Sequence, residues 1–203
     1  MLAVGGPYCR TCGDDRGPHL LVDDQCIACR LKKEGHSRFD GFARVGQYSG
    51  ALRSLILRFK KEFVLEKLLG RMLGEVIGAS FDLSEIGLWV PVPSHWWRRM
   101  QRGFQPTALL ADQATRPWKK NAEPVLTMTR YVPPFHKAMT ASQRVDAIKG
   151  AFKVASADFV KGRTVCIVDD VTTTGATLAE ARRTLRSAGT ARIFAAVLAK
   201  TAR

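Results

Sequence analysis

Val165-Cys166-Ile167-Val168-Asp169-Asp170-Val171-Thr172-Thr173-Thr174-Gly175-Ala176-Thr177 decides how this chain is read. A short apolar strand ends on two carboxylates, a turn of small and hydroxylated residues follows, and a helix begins. Carboxylates accept hydrogen bonds from sugar hydroxyls. The N–H groups of the turn can face a phosphate, and a helix N-terminus adds partial positive charge. Gly175 tolerates positive φ and lets backbone approach a ligand closely, while Thr172, Thr173, Thr174 and Thr177 offer hydroxyl groups. Together these features describe a cradle for a ribose phosphate. An acidic pair alone would also suit a loop cap or a phospho-acceptor site; the turn that follows separates the readings. No Gly-Lys-Ser/Thr is present, which excludes a nucleoside-triphosphate P-loop.

Working outward, strands alternate with helices. Residues 41–48 read as a strand. Leu52, Leu55, Ile56 and Phe59 recur at helical spacing, as do Leu65, Leu68, Leu69, Met72, Val76 and Ile77. Leu88–Val92 reads as a buried strand, with a helix near 107–114, a linker over 117–124 and a strand over 125–132. A short helix over 141–147 and a strand over 151–154 precede the strands at 164–168 and 193–199. These last two flank a helix near 177–188, which Gly189 stops. The pattern predicts an α/β fold: a mostly parallel sheet flanked by helices, with ligands bound at the carboxyl ends of its strands.

The chain has 203 residues, 46% of them hydrophobic, and a net charge of +14. Residues 1–40 hold six basic and six acidic side chains, so the surplus lies in 41–203. Residues 93–163 carry thirteen Lys and Arg against four Asp and Glu, a field that attracts nucleic acid or a small phosphate-rich ligand. No apolar run reaches membrane-spanning length. The start of the chain lacks a charged-then-apolar signal pattern, so a cytoplasmic location is expected.

Residues 1–38 read as a separate, zinc-ribbon-like module. Cys9-x-x-Cys12 and Cys26-x-x-Cys29 are two knuckles thirteen residues apart, the spacing of a tetrahedral four-cysteine zinc site. Two disulfides would fit the count but not a reducing compartment. Four protein ligands leave no open position, so the zinc is structural. Cys166, inside an apolar strand, reads as a small core residue. Residues 39–203 form the second domain.

A third stretch, Val90-Pro91-Val92-Pro93-Ser94-His95-Trp96-Trp97-Arg98-Arg99-Met100-Gln101-Arg102-Gly103-Phe104, also follows a strand. Arg98, Arg99 and Arg102 suit a diphosphate, because a guanidinium matches phosphate oxygens. A solvated basic helix start, or a nucleic-acid surface with Trp96 and Trp97 as stacking platforms, is the competing reading. His95 reads as structural rather than as a base.

The segment from Val168 to Thr177 resembles the phosphoribosyl diphosphate (PRPP) motif of type I phosphoribosyltransferases. The resemblance implies that Asp169 and Asp170 hold the ribose 2′ and 3′ hydroxyls and that Thr172, Thr173, Thr174, Gly175, Ala176 and Thr177 wrap the 5′-phosphate. It also implies Mg2+ accompanying PRPP. Nearly end to end, the chain is similar to ComF-like proteins. The shared features are the amino-terminal knuckles, Tyr48-Ser49-Gly50-Ala51-Leu52-Arg53, the Val-Pro-Val-Pro strand and an Arg-Gly-Phe turn. It departs from them at Gln105 and Pro106, where Asn and Gln are usual, and at His136 and Ala147, where Gln and Asn are usual. The family resemblance implies displacement at the ribose anomeric carbon by an acceptor selected by a hood, expected within 41–85. The alternative is a binding protein that keeps the fold and serves DNA uptake, contacting single-stranded DNA or a helicase-like protein.

Overall fold

A computed structural model of the chain describes residues 7–16, 20–31, 38–62, 64–94, 100, 103–132 and 139–202. Strands β3 (Gly41–Gln47), β4 (Leu88–Pro91), β7 (Thr164–Thr172) and β8 (Arg192–Lys200) form one sheet. Their order is β3-β8-β7-β4 and every pairing is parallel. The long strands read as unbroken apolar runs because both faces are covered. Val165 and Ile167 of β7 point into one core with Ile193, Ala195 and Val197 of β8. Cys166 and Val168 point into the other with Phe194, Ala196 and Leu198.

Helices α2 (Gly50–Glu62), α3 (Glu66–Ser80) and α4 (Pro106–Thr115) contribute to the second of these cores through Ile56, Phe59, Leu69, Leu73, Leu110 and Ala114. Helix α3 lies very close to α4. A Cβ on Gly74 would sit 2.6 Å from the Ala114 carbonyl oxygen, and one on Gly70 would sit 2.2 Å from Gln113 Cβ. Helix α7 (Ala176–Ser187) covers the opposite face with Leu178, Ala181 and Leu185. Beside it lie α5 (Ala141–Ile148), α6 (Ala157–Val160) and an antiparallel pair, β5 (Leu126–Met128) and β6 (Phe152–Val154). Helix α5 opens on a capping box: Thr140 Oγ1 accepts from Gln143 N–H, and the Gln143 side chain accepts from Thr140 N–H.

Three expectations change. The strand expected over 125–132 is limited to Leu126–Met128. The expected linker forms a 3-10 turn at Arg116–Trp118 and then runs beside β4, with Trp118 stacked on Trp89 and Glu123 N–H bonded to the Trp89 carbonyl at 2.7 Å. Strand β7 does not stop before the acidic pair. It continues through Asp169 and Asp170 to Thr172, because β8 runs on to Lys200 and keeps the ladder paired.

A small hairpin of β1 (Leu21–Val22) and β2 (Gln25–Cys26), followed by the single turn α1 (Ile27–Arg30), completes the fold. The amino-terminal knuckle lies along the outer edge of β3. Phe42 N–H donates to Arg10 O at 2.6 Å and Phe39 N–H to Thr11 O at 2.8 Å. The knuckle thereby covers an edge that would otherwise expose unpaired backbone groups. Beneath it, Lys200 Nζ lies 3.1 Å from both Asp14 Oδ1 and Cys12 O, with both side chains at most 5% exposed. The Arg44 guanidinium pairs with Asp15 and stacks on Tyr8 at 4.6 Å. Although burial pushes the Asp15 carboxyl up, Arg44 holds it below the usual carboxylate range.

Candidate functional site

The four knuckle cysteines are all buried, and their sulfurs lie within 4.8 Å of one another. Cys9 and Cys29 are 3.7 Å apart, Cys12 and Cys26 3.8 Å. These distances are far beyond a disulfide bond of about 2.05 Å. They match the edge of a tetrahedron with metal–sulfur bonds of about 2.3 Å, roughly 3.8 Å. Cys26 N–H points at Cys9 Sγ, 3.3 Å away, as a donor to a thiolate would. Bonds from Cys12 and Cys29 hold Cys9 well below the ordinary thiol range, whereas contacts with Cys29 and Cys9 push Cys12 far up. The four cysteines can hold a metal ion. Cys166 is separate: burial raises its thiol, and it packs in the core.

Asp169 and Asp170 sit near the carboxyl end of β7, 8% and 9% exposed. Asp169 Oδ1 accepts from Asp170 N–H at 2.8 Å, and Asp170 Oδ1 from Val171 N–H at 2.6 Å. Burial pushes the Asp169 carboxyl up to about 8, with the neighbouring Asp170 charge adding to the effect.

The turn follows at once. Thr172 is buried and its carbonyl accepts from Thr201 N–H at 3.0 Å, tying the turn to the end of β8. Gly175 caps α7 with φ 80, a left-handed conformation that disfavours a side chain. Thr173, Thr174 and Thr177 are half-buried, Gly175 and Ala176 buried. Ala176 N–H points at Thr174 Oγ1, 3.4 Å away. The sequence-predicted residues 169–177 are thus brought together on one strand end and one helix start.

Two cations at this site come from elsewhere in the chain. Lys60, near the end of α2, places Nζ 2.8 Å from Asp170 Oδ1. Arg144 on α5 donates from Nη1 to Thr173 Oγ1 at 3.0 Å. Glu180 on α7 accepts Gly150 N–H at 2.7 Å and pairs with Arg183, which holds its carboxyl below the usual range. That bond fastens the end of α5 to α7 and keeps Arg144 beside the turn. The expected hood region is divided: β3 joins the sheet, α3 packs on its face, and α2 carries Lys60 to the acidic pair. The helical pattern marked the core face of α2 but nothing about Lys60's partner.

Arg98, Arg99, Arg102 and His136 lie outside the described residues. Gln105 and Pro106 have local tasks. Gln105 Nε2 reaches back to Val92 O at 3.4 Å, and Pro106 occupies the first turn of α4, where its missing N–H costs nothing. Ala147 packs against the core, and its carbonyl accepts from Arg130 at 2.8 Å.

A phosphoribosyl transferase domain matches residues 107–203. Competence protein F of Haemophilus influenzae is 30% identical over 191 residues, covering 90% of this chain and 80% of that protein. The chain belongs to the ComF-like phosphoribosyltransferase family. DNA utilization protein YhgH of Escherichia coli strain K12 is 32% identical over 169 residues, 77% of this chain and 70% of that protein. Among solved structures, the allosteric regulatory enzyme of purine biosynthesis aligns at 20% identity and TM-score 0.44, over 65% of this chain and 25% of that one. The glutamine PRPP amidotransferase of B. subtilis aligns at 21% and TM-score 0.42, over 64% and 25%. This ComF-like chain therefore spans about a quarter of the length of either enzyme. No helix among its described residues is long and apolar enough to cross a membrane.

Proposed function

We propose that this ComF-like protein binds PRPP with Mg2+ and transfers its phosphoribosyl group to an acceptor. The observation that carries the reading is the run of two buried carboxylates into a glycine-capped helix start on one strand end. Asp169 and Asp170 grip the ribose hydroxyls. Residues Thr172–Thr177 wrap the 5′-phosphate, and Arg144 joins them through Thr173. Arg98, Arg99 and Arg102 take the diphosphate. Carboxylates and phosphate oxygens would suit Mg2+ accompanying the diphosphate, and the metal would supply neutralisation of leaving-group charge. In the reaction the bond from C1 to the diphosphate oxygen breaks with its electron pair on the leaving group, and an acceptor nitrogen bonds to C1. The protein's part is positioning and charge stabilisation. Residues 1–38 form the four-cysteine module, with zinc as its structural metal, and 39–203 the transferase-like domain.

Calorimetry with Mg2+ and PRPP tests binding. Wild type gives a saturable heat that Asp170→Asn abolishes; no heat from wild type removes the reading. Diphosphate release against a panel of bases, amines and ammonia then tests turnover.

A second reading is favoured by the basic surplus over 93–163 and by the names of the relatives, a competence protein and a DNA utilization protein. Here the protein binds single-stranded DNA or a helicase-like partner, with PRPP as a regulatory ligand. It predicts DNA affinity that falls steeply with salt and survives Asp170→Asn. Absence of binding at low salt removes it.

A further inference from the structure

Lys60 is the residue whose position the reading above does not use. Its backbone is fixed, because Ile56 and Phe59 of the same helix are buried in the core. Its side chain is only 27% exposed and turns to the Asp170 side chain, itself 13% exposed. This part-buried ion pair occupies one oxygen of a carboxylate that a sugar hydroxyl needs. In the free protein that oxygen already accepts from both Val171 N–H and Lys60.

A vicinal diol that binds the acidic pair must loosen this ammonium. The consequence depends on what the sugar carries at C1. A diphosphate at C1 is adjacent to the C2 hydroxyl, within a short swing of a flexible lysine, and gives the displaced cation a new anionic partner. Ribose 5-phosphate has no anion at C1. With that sugar the ammonium either stays on Asp170 and competes with the diol, or leaves without a partner.

We propose that Lys60 is an exchange cation that sits on Asp170 in the free protein and passes to the C1 diphosphate of the incoming sugar, so that the site prefers a sugar diphosphate to the plain sugar 5-phosphate. The inference rests on the sugar-diphosphate reading and adds a residue that sets its ligand preference.

The test is calorimetry of wild type, Lys60→Met and Lys60→Arg with PRPP and with ribose 5-phosphate, Mg2+ present throughout. Lys60→Met should lose roughly 10- to 100-fold in PRPP affinity. Its affinity for ribose 5-phosphate should stay within about threefold of wild type or rise. Lys60→Arg, which keeps the charge, should recover most of the preference. Lys60→Gln serves the same comparison should the methionine variant fold poorly. Equal losses for both ligands, an unchanged PRPP affinity, or an arginine variant as unselective as the methionine one overturns the inference alone. Wild type that binds neither ligand overturns the sugar-diphosphate reading and the inference with it.

Discussion

Asp169→Asn should stabilise the protein, and by an amount that depends on pH. The carboxyl stands at about 8 in the folded chain against an ordinary 3.8. A raised folded value means that the native state holds a proton which the unfolded chain has already released. Stability from this group is complete below about pH 4 and is lost as pH rises through about 8. Each unit between those limits costs up to about 1.4 kcal/mol, and less as pH nears about 8, so the loss from pH 5 to pH 8 is on the order of 3 kcal/mol. Asparagine is neutral throughout and keeps the oxygen that accepts Asp170 N–H at 2.8 Å in wild type. The variant should therefore exceed wild type slightly at pH 5 and by on the order of 3 kcal/mol more at pH 8. At this chain length that is roughly 6–12 °C in Tm. Urea denaturation of both proteins across pH 5 to 9, with matched slopes, reads the difference. A gap that stays constant with pH refutes the reasoning, because the penalty would then not come from ionising Asp169. A site that weakens the fold it sits in is expected where carboxylates must be desolvated to serve a ligand.

Removing the knuckle metal with a strong chelator, or replacing Cys12 with Ser, should release about one metal equivalent by elemental analysis. Either should also lower Tm and make the knuckle thiols reactive while buried Cys166 stays protected; unchanged Tm and thiol reactivity would contradict a metal-dependent knuckle. Lys200→Met strands Asp14 in a site where both side chains are at most 5% exposed. It should cost roughly 3–5 kcal/mol in denaturant unfolding, with much of that recovered by adding Asp14→Asn. Gly74→Ala drives a Cβ to 2.6 Å from the Ala114 carbonyl and should cost roughly 1–3 kcal/mol by forcing α3 from α4; an unaltered Tm would show that the helices separate freely.

Much of the architecture was legible because it is written in short-range pattern. The apolar stripe through Leu52, Ile56 and Phe59 marks the buried face of α2. The two Cys-x-x-Cys steps bring four sulfurs together. The length of β7 was less legible. Its carboxylates and threonines read as strand-ending residues, and only the partner strand running to Lys200 keeps them in the ladder. Gln105 and Pro106 stand out in the sequence as departures from a family turn. Their tasks, a bond to Val92 O and the opening of α4, depend on where β4 ends.

The sequence by itself determined the acidic pair, the hydroxyl-rich turn and the cysteine quartet, because each is a chemistry set by residue type at close spacing. Only the tertiary structure decided that Lys60, 110 positions from Asp170, neutralises it, that Arg144 meets Thr173, and that Lys200 anchors the knuckle. Charge pairing and desolvation depend on distance in space and on exclusion of water, and packing sets both.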